Sequence, residues 1–141
     1  MITIYLDFDG VLVTKFSKGI TFDPVCVEKL KEKIQILKTE FQSVRLCVIS
    51  NWRFERSKEE ITNLLASYRL LEDIEELVIP VNFHNREQEI LMDAIKEPFV
   101  IFDDEHYENP YLRKHLIRLR TEDGLRGIED VLLILQLFYL N

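Results

Sequence analysis

Three short stretches of this 141-residue sequence carry residue types that could do chemistry together. They are Asp7-Phe8-Asp9-Gly10, Ser50-Asn51-Trp52-Arg53 and Asp103-Asp104-Glu105, and each directly follows an apolar run. Gathered in one crevice, Asp7, Asp9, Asp103 and Asp104 would raise one another's pKa by like-charge repulsion. A divalent cation reverses that logic. Carboxylate oxygens suit Mg²⁺, which takes one or two carboxylates and completes its octahedron with water and phosphate. A metal so placed accepts a phosphoryl oxygen and lets a carboxylate approach phosphorus. Asp7 and Asp9 could then divide the work, one as nucleophile and the other as general acid/base.

Taken singly, each stretch has an ordinary explanation. An Asp after a strand commonly serves as a turn residue or helix N-cap. An Asp-Asp pair is commonly a solvated turn. All three at the ends of apolar runs are hard to obtain from turn chemistry alone. Their meaning depends on whether the fold brings those ends together.

The elements between them say that it does. Five short apolar runs read as strands: Ile2–Leu6, Val44–Ile49, Leu77–Ile79, Phe99–Phe102 and Leu116–Leu119. The first, second and fourth are almost continuously apolar, as strands covered on both faces are. Val27, Leu30, Ile34, Leu37 and Phe41 repeat at helical spacing after Asp23-Pro24, an N-cap followed by a first-turn proline. Ile61, Leu64, Leu65 and Tyr68 mark a second helix behind the capping box Ser57–Glu60. Ile90, Leu91, Ala94 and Ile95 mark a third, stopped by Pro98, and a fourth runs from about Ile128 to Tyr139. Strands alternating with helices predict an α/β fold, a Rossmann-like three-layer sandwich with a mainly parallel five-stranded sheet. Ligands bind such sheets at the carboxyl ends of the strands, where strand order reverses. All three clusters fall at strand carboxyl ends.

Composition bounds the rest. The length predicts one domain over residues 1–141. Hydrophobic residues at 47% exclude a disordered chain. The formal charge of −7 argues against broad adhesion to nucleic acid or anionic membrane, though not against a local site for a phosphorylated end. Cys26 and Cys47 form no CxxC pair and sit in apolar segments, which predicts buried thiols and a reducing compartment. The N-terminus turns acidic at Asp7 and does not read as a signal peptide. The apolar stretch Val131–Leu140 is too short to span a bilayer. The expectation is a cytoplasmic protein without membrane partners.

At these residues the chain resembles the haloacid dehalogenase-like (HAD) phosphatase superfamily. Asp7-Phe-Asp-Gly-Val is similar to its first motif, in which the first Asp is the nucleophile and the second the acid/base. Ser50 resembles the second-motif residue that binds phosphate, and Asp103-Asp104 the fourth motif, which holds Mg²⁺. A narrower resemblance joins Ser50–Arg53, Arg86-Glu-Gln-Glu-Ile90, Phe102–Asp104 and Thr121-Glu-Asp-Gly-Leu125 to the small branch found in RNA-repair proteins, similar to the phosphatase domains of polynucleotide kinase-phosphatases. The superfamily commonly has Lys in its third motif. Here Arg86, behind the N-cap Asn85, suits an anion at a helix N-terminus better than Lys96, which sits where it would offset the helix dipole.

The resemblance implies an aspartyl-phosphate mechanism with Asp7 and Asp9 as catalytic residues. Substrate would be held by Ser50, Asn51, Arg53 and Arg86. Mg²⁺ would be held by Asp7, Asp103, Asp104 and Asp9, the last through its backbone carbonyl. Only Val11–Phe22 and Pro80–Asn85 occupy the places where larger members insert a cap, so the implied enzyme is capless and its site open. The substrate is a phosphorylated small molecule or nucleic-acid end, a polynucleotide 3′-phosphate among them. The other readings are a metabolite or nucleotide phosphatase and a catalytically silent binding protein of the same fold.

Lys15, Lys18 and Gly19 lie in the short flap and read as solvated loop or substrate contacts. His84 reads as a loop histidine, and His106 and Tyr107 as pocket-lining candidates. Arg113, Lys114, His115, Arg118, Arg120 and Arg126 form a basic run, read either as a charged edge strand or as a nucleic-acid track. The apolar C-terminal helix completes the core or also offers a homodimer interface.

Overall fold

A computed structural model describes residues 1–19, 21–81, 85–94 and 97–128. Five strands, β1 (Ile2–Leu6), β2 (Val44–Val48), β3 (Glu76–Val78), β4 (Phe99–Asp103) and β5 (Leu116–Arg118), form one sheet in the order β3-β2-β1-β4-β5. Every pairing is parallel. All five residues of both β1 and β4 are buried, as their nearly continuous apolar content requires of strands covered on two faces. Edge strands β3 and β5 are shorter and more polar, which blunts the sheet's open sides.

Helix α1 (Pro24–Phe41) starts as the sequence predicts. The Asp23 side chain accepts the Val25 amide, with Pro24 in the first turn. Helix α2 (Lys58–Ser67) has both halves of the Ser57–Glu60 capping box. Helix α3 (Arg86–Met92) is capped by Asn85, whose side chain accepts the Gln88 amide at 2.9 Å. It stops earlier than the Ala94 and Ile95 periodicity suggests. Asp93 leaves the helix for an extended conformation, and its carboxylate is held by Arg45 and Tyr5. A single turn, α4 (Pro110–Arg113), precedes β5. Ile128 is extended at the end of a 3-10 turn, and the fourth helix expected from about there lies outside the described residues.

The helices cover both faces. Leu30, Ile34 and Leu37 of α1 and Ile61 and Leu65 of α2 pack on Ile2, Ile4 and Leu6. On the other face Ile90 of α3 and Leu112 of α4 pack on Tyr5, Phe99 and Ile101. Both thiols are free and buried. Only the loop 7–23 separates β1 from α1 and only residues 79–85 separate β3 from α3, so no cap domain is inserted at either point. Among the described residues no helix is long and apolar enough to cross a membrane.

Chain order runs outward from β1 to β2 and β3, then returns to β1's other side for β4 and β5. The reversal leaves a crevice at the carboxyl ends of β1 and β4. Register makes the ends level: Leu6 is opposite both Val48 and Phe102. The Asp7 amide donates to the Phe102 carbonyl at 3.1 Å and the Ile49 amide to the Leu6 carbonyl at 2.9 Å. Asp7, Ser50 and Asp103 therefore emerge side by side from one sheet edge.

Candidate active site

The turn after β1 sets the first two carboxylates. The Phe8 carbonyl accepts the amides of Val11, Leu12 and Val13, at 3.1, 2.9 and 2.9 Å, and winds the chain tightly. Gly10 completes the turn at φ 74°, and a Cβ there would stand 2.2 Å from Asp104 Oδ2. Both the conformation and the close approach require glycine. Behind the turn, the Leu125 amide donates to the Val11 carbonyl at 3.0 Å, and a Cβ on Gly124 would lie 2.4 Å from that oxygen. The late Thr121–Leu125 stretch thus buttresses the first motif. Its Thr121 hydroxyl donates to Asp104 Oδ2 at 2.7 Å.

Asp7 is 3% exposed and Asp103 fully buried. Asp7 Oδ1 accepts the Phe8 amide at 2.8 Å, and Oδ2 faces Arg86 Nη1 at 3.2 Å. That same nitrogen lies 3.1 and 2.9 Å from the two Asp103 oxygens and 3.2 Å from Glu105. Asn51 Oδ1 is 3.5 Å from Arg86 Nη2. Tyr107, 1% exposed, donates its hydroxyl to Asp103 Oδ2 at 2.8 Å. Glu87 of α3 accepts the amides of Glu108 and Asn109, which holds the 105–109 loop against the helix carrying Arg86.

One guanidinium nitrogen therefore serves several carboxylates. Burial pushes the Asp7 carboxyl up to about 8; Arg86 pulls the other way, and the Asp103 and Asp104 charges add to the rise. Burial also raises Asp104, as does the Asp103 charge, against the pull of the Thr121 hydroxyl. Burial and the Asp103 charge raise Tyr107, so its phenol stays a donor. Burial disfavours the Arg86 cation, but Asp7, Asp103 and Glu105 more than compensate and raise its pKa.

Asp7, Asp103 and Asp104 each offer a carboxylate oxygen, all within 4.8 Å of one another. Opposite ligands of an Mg²⁺ octahedron with bonds of about 2.0–2.1 Å lie about 4.2 Å apart. The three carboxylate oxygens are the hard donor type that Mg²⁺ takes. The Asp9 carboxylate is not among them. It is exposed and accepts the Trp52 indole N–H at 3.1 Å.

Ser50 is fully buried and caps the 3-10 turn Asn51–Phe54, its Oγ accepting the Trp52 amide at 3.2 Å. Its hydroxyl hydrogen remains available to an anion. Arg53, expected to hold substrate, is engaged within the protein. Its guanidinium is buried and forks onto Glu89 at 2.5 and 2.9 Å, with further bonds to the Ser50, Ile49 and Pro80 carbonyls. It fastens the loop after β2 to α3. Glu89 lies 36 positions away, so nothing near Arg53 announced the pairing.

Members of the basic run differ in burial: Arg113, Lys114, Arg118 and Arg120 are exposed, and His115 is not. His115 is buried and stacks on Phe99 at 3.9 Å. Arg126 pairs with Asp23, and Arg118 and Arg120 are exposed beside buried Ile117 and Leu119 on the edge strand side. Lys15 pairs with Asp123 at 3.6 Å. His84 and Lys96 lie outside the described residues. Sequence reasoning gave no role to Trp52 or Thr121 and saw Tyr107 only as pocket lining. Their positions inside or just beyond the three motifs were the available signal.

A family model described as the HAD domain in Swiss Army Knife RNA repair proteins matches residues 3–128. The chain belongs to this family. It is a capless HAD domain, and the family makes it a HAD-type hydrolase of the phosphatase kind. HAD enzymes generally use Mg²⁺, which agrees with the buried Asp cluster. No curated protein and no solved structure matches it.

Proposed function

We propose that this HAD domain is a Mg²⁺-dependent phosphatase that hydrolyses a phosphate monoester through an aspartyl-phosphate on Asp7. The observation that carries the reading is the surplus of carboxylates around Arg86 at the β1–β4 crevice. Asp7, Asp103 and Asp104 would hold Mg²⁺, with the Asp9 backbone carbonyl. Bound there, the cation supplies charge neutralisation and polarises a phosphoryl oxygen.

The chain's own groups do the rest. Ser50 Oγ–H and the Arg86 guanidinium bind the phosphoryl oxygens and orient phosphorus toward Asp7. An Asp7 carboxylate oxygen bonds to phosphorus while the ester P–O bond breaks. Asp9 gives its proton to the departing oxygen, releasing the alcohol. Asp9 then takes a proton from water as that water's oxygen bonds to phosphorus and the Asp7–phosphorus bond breaks. Phosphate leaves and both aspartates return to their starting states. Tyr107 and Thr121 hold Asp103 and Asp104 in place throughout.

The open, capless crevice and the family's RNA-repair setting favour a phosphorylated nucleic-acid end, a polynucleotide 3′-phosphate in particular. The test is phosphate release from para-nitrophenyl phosphate with Mg²⁺ or a chelator. Wild type should turn over only with metal. Asp7→Asn should lose about a thousandfold or more in kcat, as removal of a covalent nucleophile does. No turnover of any ester by wild type with metal present refutes the enzyme. A 3′-phosphorylated oligonucleotide should be preferred over nucleotides and small metabolites, and the reverse order refutes the substrate class.

A further inference from the structure

We infer that Trp52 is a positioning residue for proton transfer, holding the Asp9 carboxyl in one orientation through its indole N–H. The inference rests on the phosphatase reading above and adds a residue to it.

Asp9 sits on an exposed turn, where an aspartate side chain ordinarily samples several rotamers. Among the described residues, its carboxylate has one hydrogen bond, from Trp52 Nε1 to Oδ1 at 3.1 Å. That donor is itself fixed from several sides. Phe8 meets the indole edge-on at 5.4 Å and Phe22 lies against it at 5.7 Å. Phe22 is in turn stacked on Tyr68 at 4.7 Å. The Arg56 guanidinium covers the ring at 4.5 Å. A cation over the ring draws electron density from it and strengthens the N–H as a donor. The Trp52 backbone amide is anchored separately, on Ser50 Oγ.

The chemical consequence follows from the donor's nature. An indole N–H can only donate, so the oxygen it meets stays an acceptor in either protonation state. Oδ2 is thereby the oxygen left to face the leaving group. One residue thus ties the oxygen that binds phosphate, through its backbone, to the carboxyl that protonates the leaving group, through its side chain. Those two groups come from different strand ends.

Trp52→Phe removes the indole N–H and keeps the aromatic packing and the backbone bond to Ser50. Its effect should depend on how much the leaving group needs a proton. With a 3′-phosphorylated oligonucleotide, whose alkoxide leaves poorly, kcat should fall about tenfold or more with KM little changed, a partial loss of the general-acid contribution. With para-nitrophenyl phosphate, whose phenolate leaves unaided, the burst rate of phenolate release, which precedes the water step that Asp9 also serves, should fall by less than about threefold. In an Asp9→Asn background, Trp52→Phe should cost nothing further, since the two act as a unit. A loss in the phenolate burst as large as the loss in oligonucleotide turnover, or a full additional loss beside Asp9→Asn, overturns the proposal.

Trp52 is the chain's single tryptophan, so its indole N–H gives one identifiable NMR signal whether or not any ester is turned over. Asp9→Asn should shift that signal and speed its exchange with solvent. An unmoved signal overturns the proposal while leaving the phosphatase intact. A moved signal with no wild-type turnover on either ester refutes the phosphatase and the role given to Trp52 with it.

Discussion

The two ends of the sheet each hold an arginine among carboxylates, and they treat it oppositely. At the amino end Arg45 forks onto Asp93 at 2.7 and 3.0 Å, and the Tyr5 hydroxyl donates to the same carboxylate at 2.6 Å. Burial pushes Asp93 up, but the bonds from Arg45 and Tyr5 win and hold it below the usual carboxylate range. At the carboxyl end one Arg86 nitrogen is shared among Asp7, Asp103 and Glu105, and Asp7 is pushed up to about 8. The Arg45–Asp93 pair matches a fork to a carboxylate and is self-sufficient. The Arg86 cluster has more anions than the protein can settle. The difference teaches that an arginine beside a carboxylate is no sign of function; a local surplus of charge is.

Arg53 extends the lesson, because it lies within the site's own sequence motif yet behaves like Arg45. The largest stability effect should come from it. Glu89→Gln would leave the Arg53 guanidinium buried without a counter-charge, with side-chain exposures of 2% and 5% for the pair. Chemical denaturation should show a loss of about 3–5 kcal/mol. A loss under about 1 kcal/mol, the size of an exposed pair, would mean Arg53 has freedom to meet substrate.

The next effect separates the two ends by sign. In metal-free protein near neutral pH, Asp93→Asn should destabilise by about 1–3 kcal/mol, since it weakens a matched, mostly buried pair. Asp7→Asn should stabilise by about 1 kcal/mol, since active-site surplus charge is held at a cost to stability. Mg²⁺ should raise the melting temperature of wild type and raise it less in Asp103→Asn, because binding to the folded state stabilises it. Destabilisation by Asp7→Asn would erase the contrast.

The smallest effect is in the pH dependence of metal-free stability. Asp7 has a folded pKa above its unfolded value of about 3.9. Its contribution is therefore fully present below about pH 3.9 and lost as pH rises toward about 8. Asp93 has a lowered folded pKa, so its contribution is present above about pH 3.9 and lost as pH falls below it. Asp7→Asn should flatten the slope between those limits, and Asp93→Asn the acid limb. Unchanged slopes would put the surplus elsewhere.

Local signals in the sequence were enough for the architecture. Nearly continuous apolar runs marked β1, β2 and β4, and Asp23-Pro24, Ser57–Glu60 and Asn85 marked the helix starts that the structure has. The strand-end aspartates and Arg86 were legible for the same reason, since parallel topology alone brings strand carboxyl ends together. What escaped were pairings between residues far apart in sequence. Arg53 with Glu89, Trp52 with Asp9, Tyr107 with Asp103 and Thr121 with Asp104 each depend on side-chain direction after the loops are packed. Helix α3 ended early for a similar reason, since Asp93 is drawn out to Arg45.

The central claim is that the surplus at the β1–β4 crevice serves phosphoryl transfer to Asp7. The most direct measurement is borohydride trapping during turnover with Mg²⁺, followed by mass spectrometry of the peptide containing Asp7. Borohydride reduces an acyl phosphate, so Asp7 should be converted to homoserine in the presence of substrate and metal and remain unchanged with a chelator. Phosphate release with Asp7 unmodified, or conversion at another aspartate, would contradict the account.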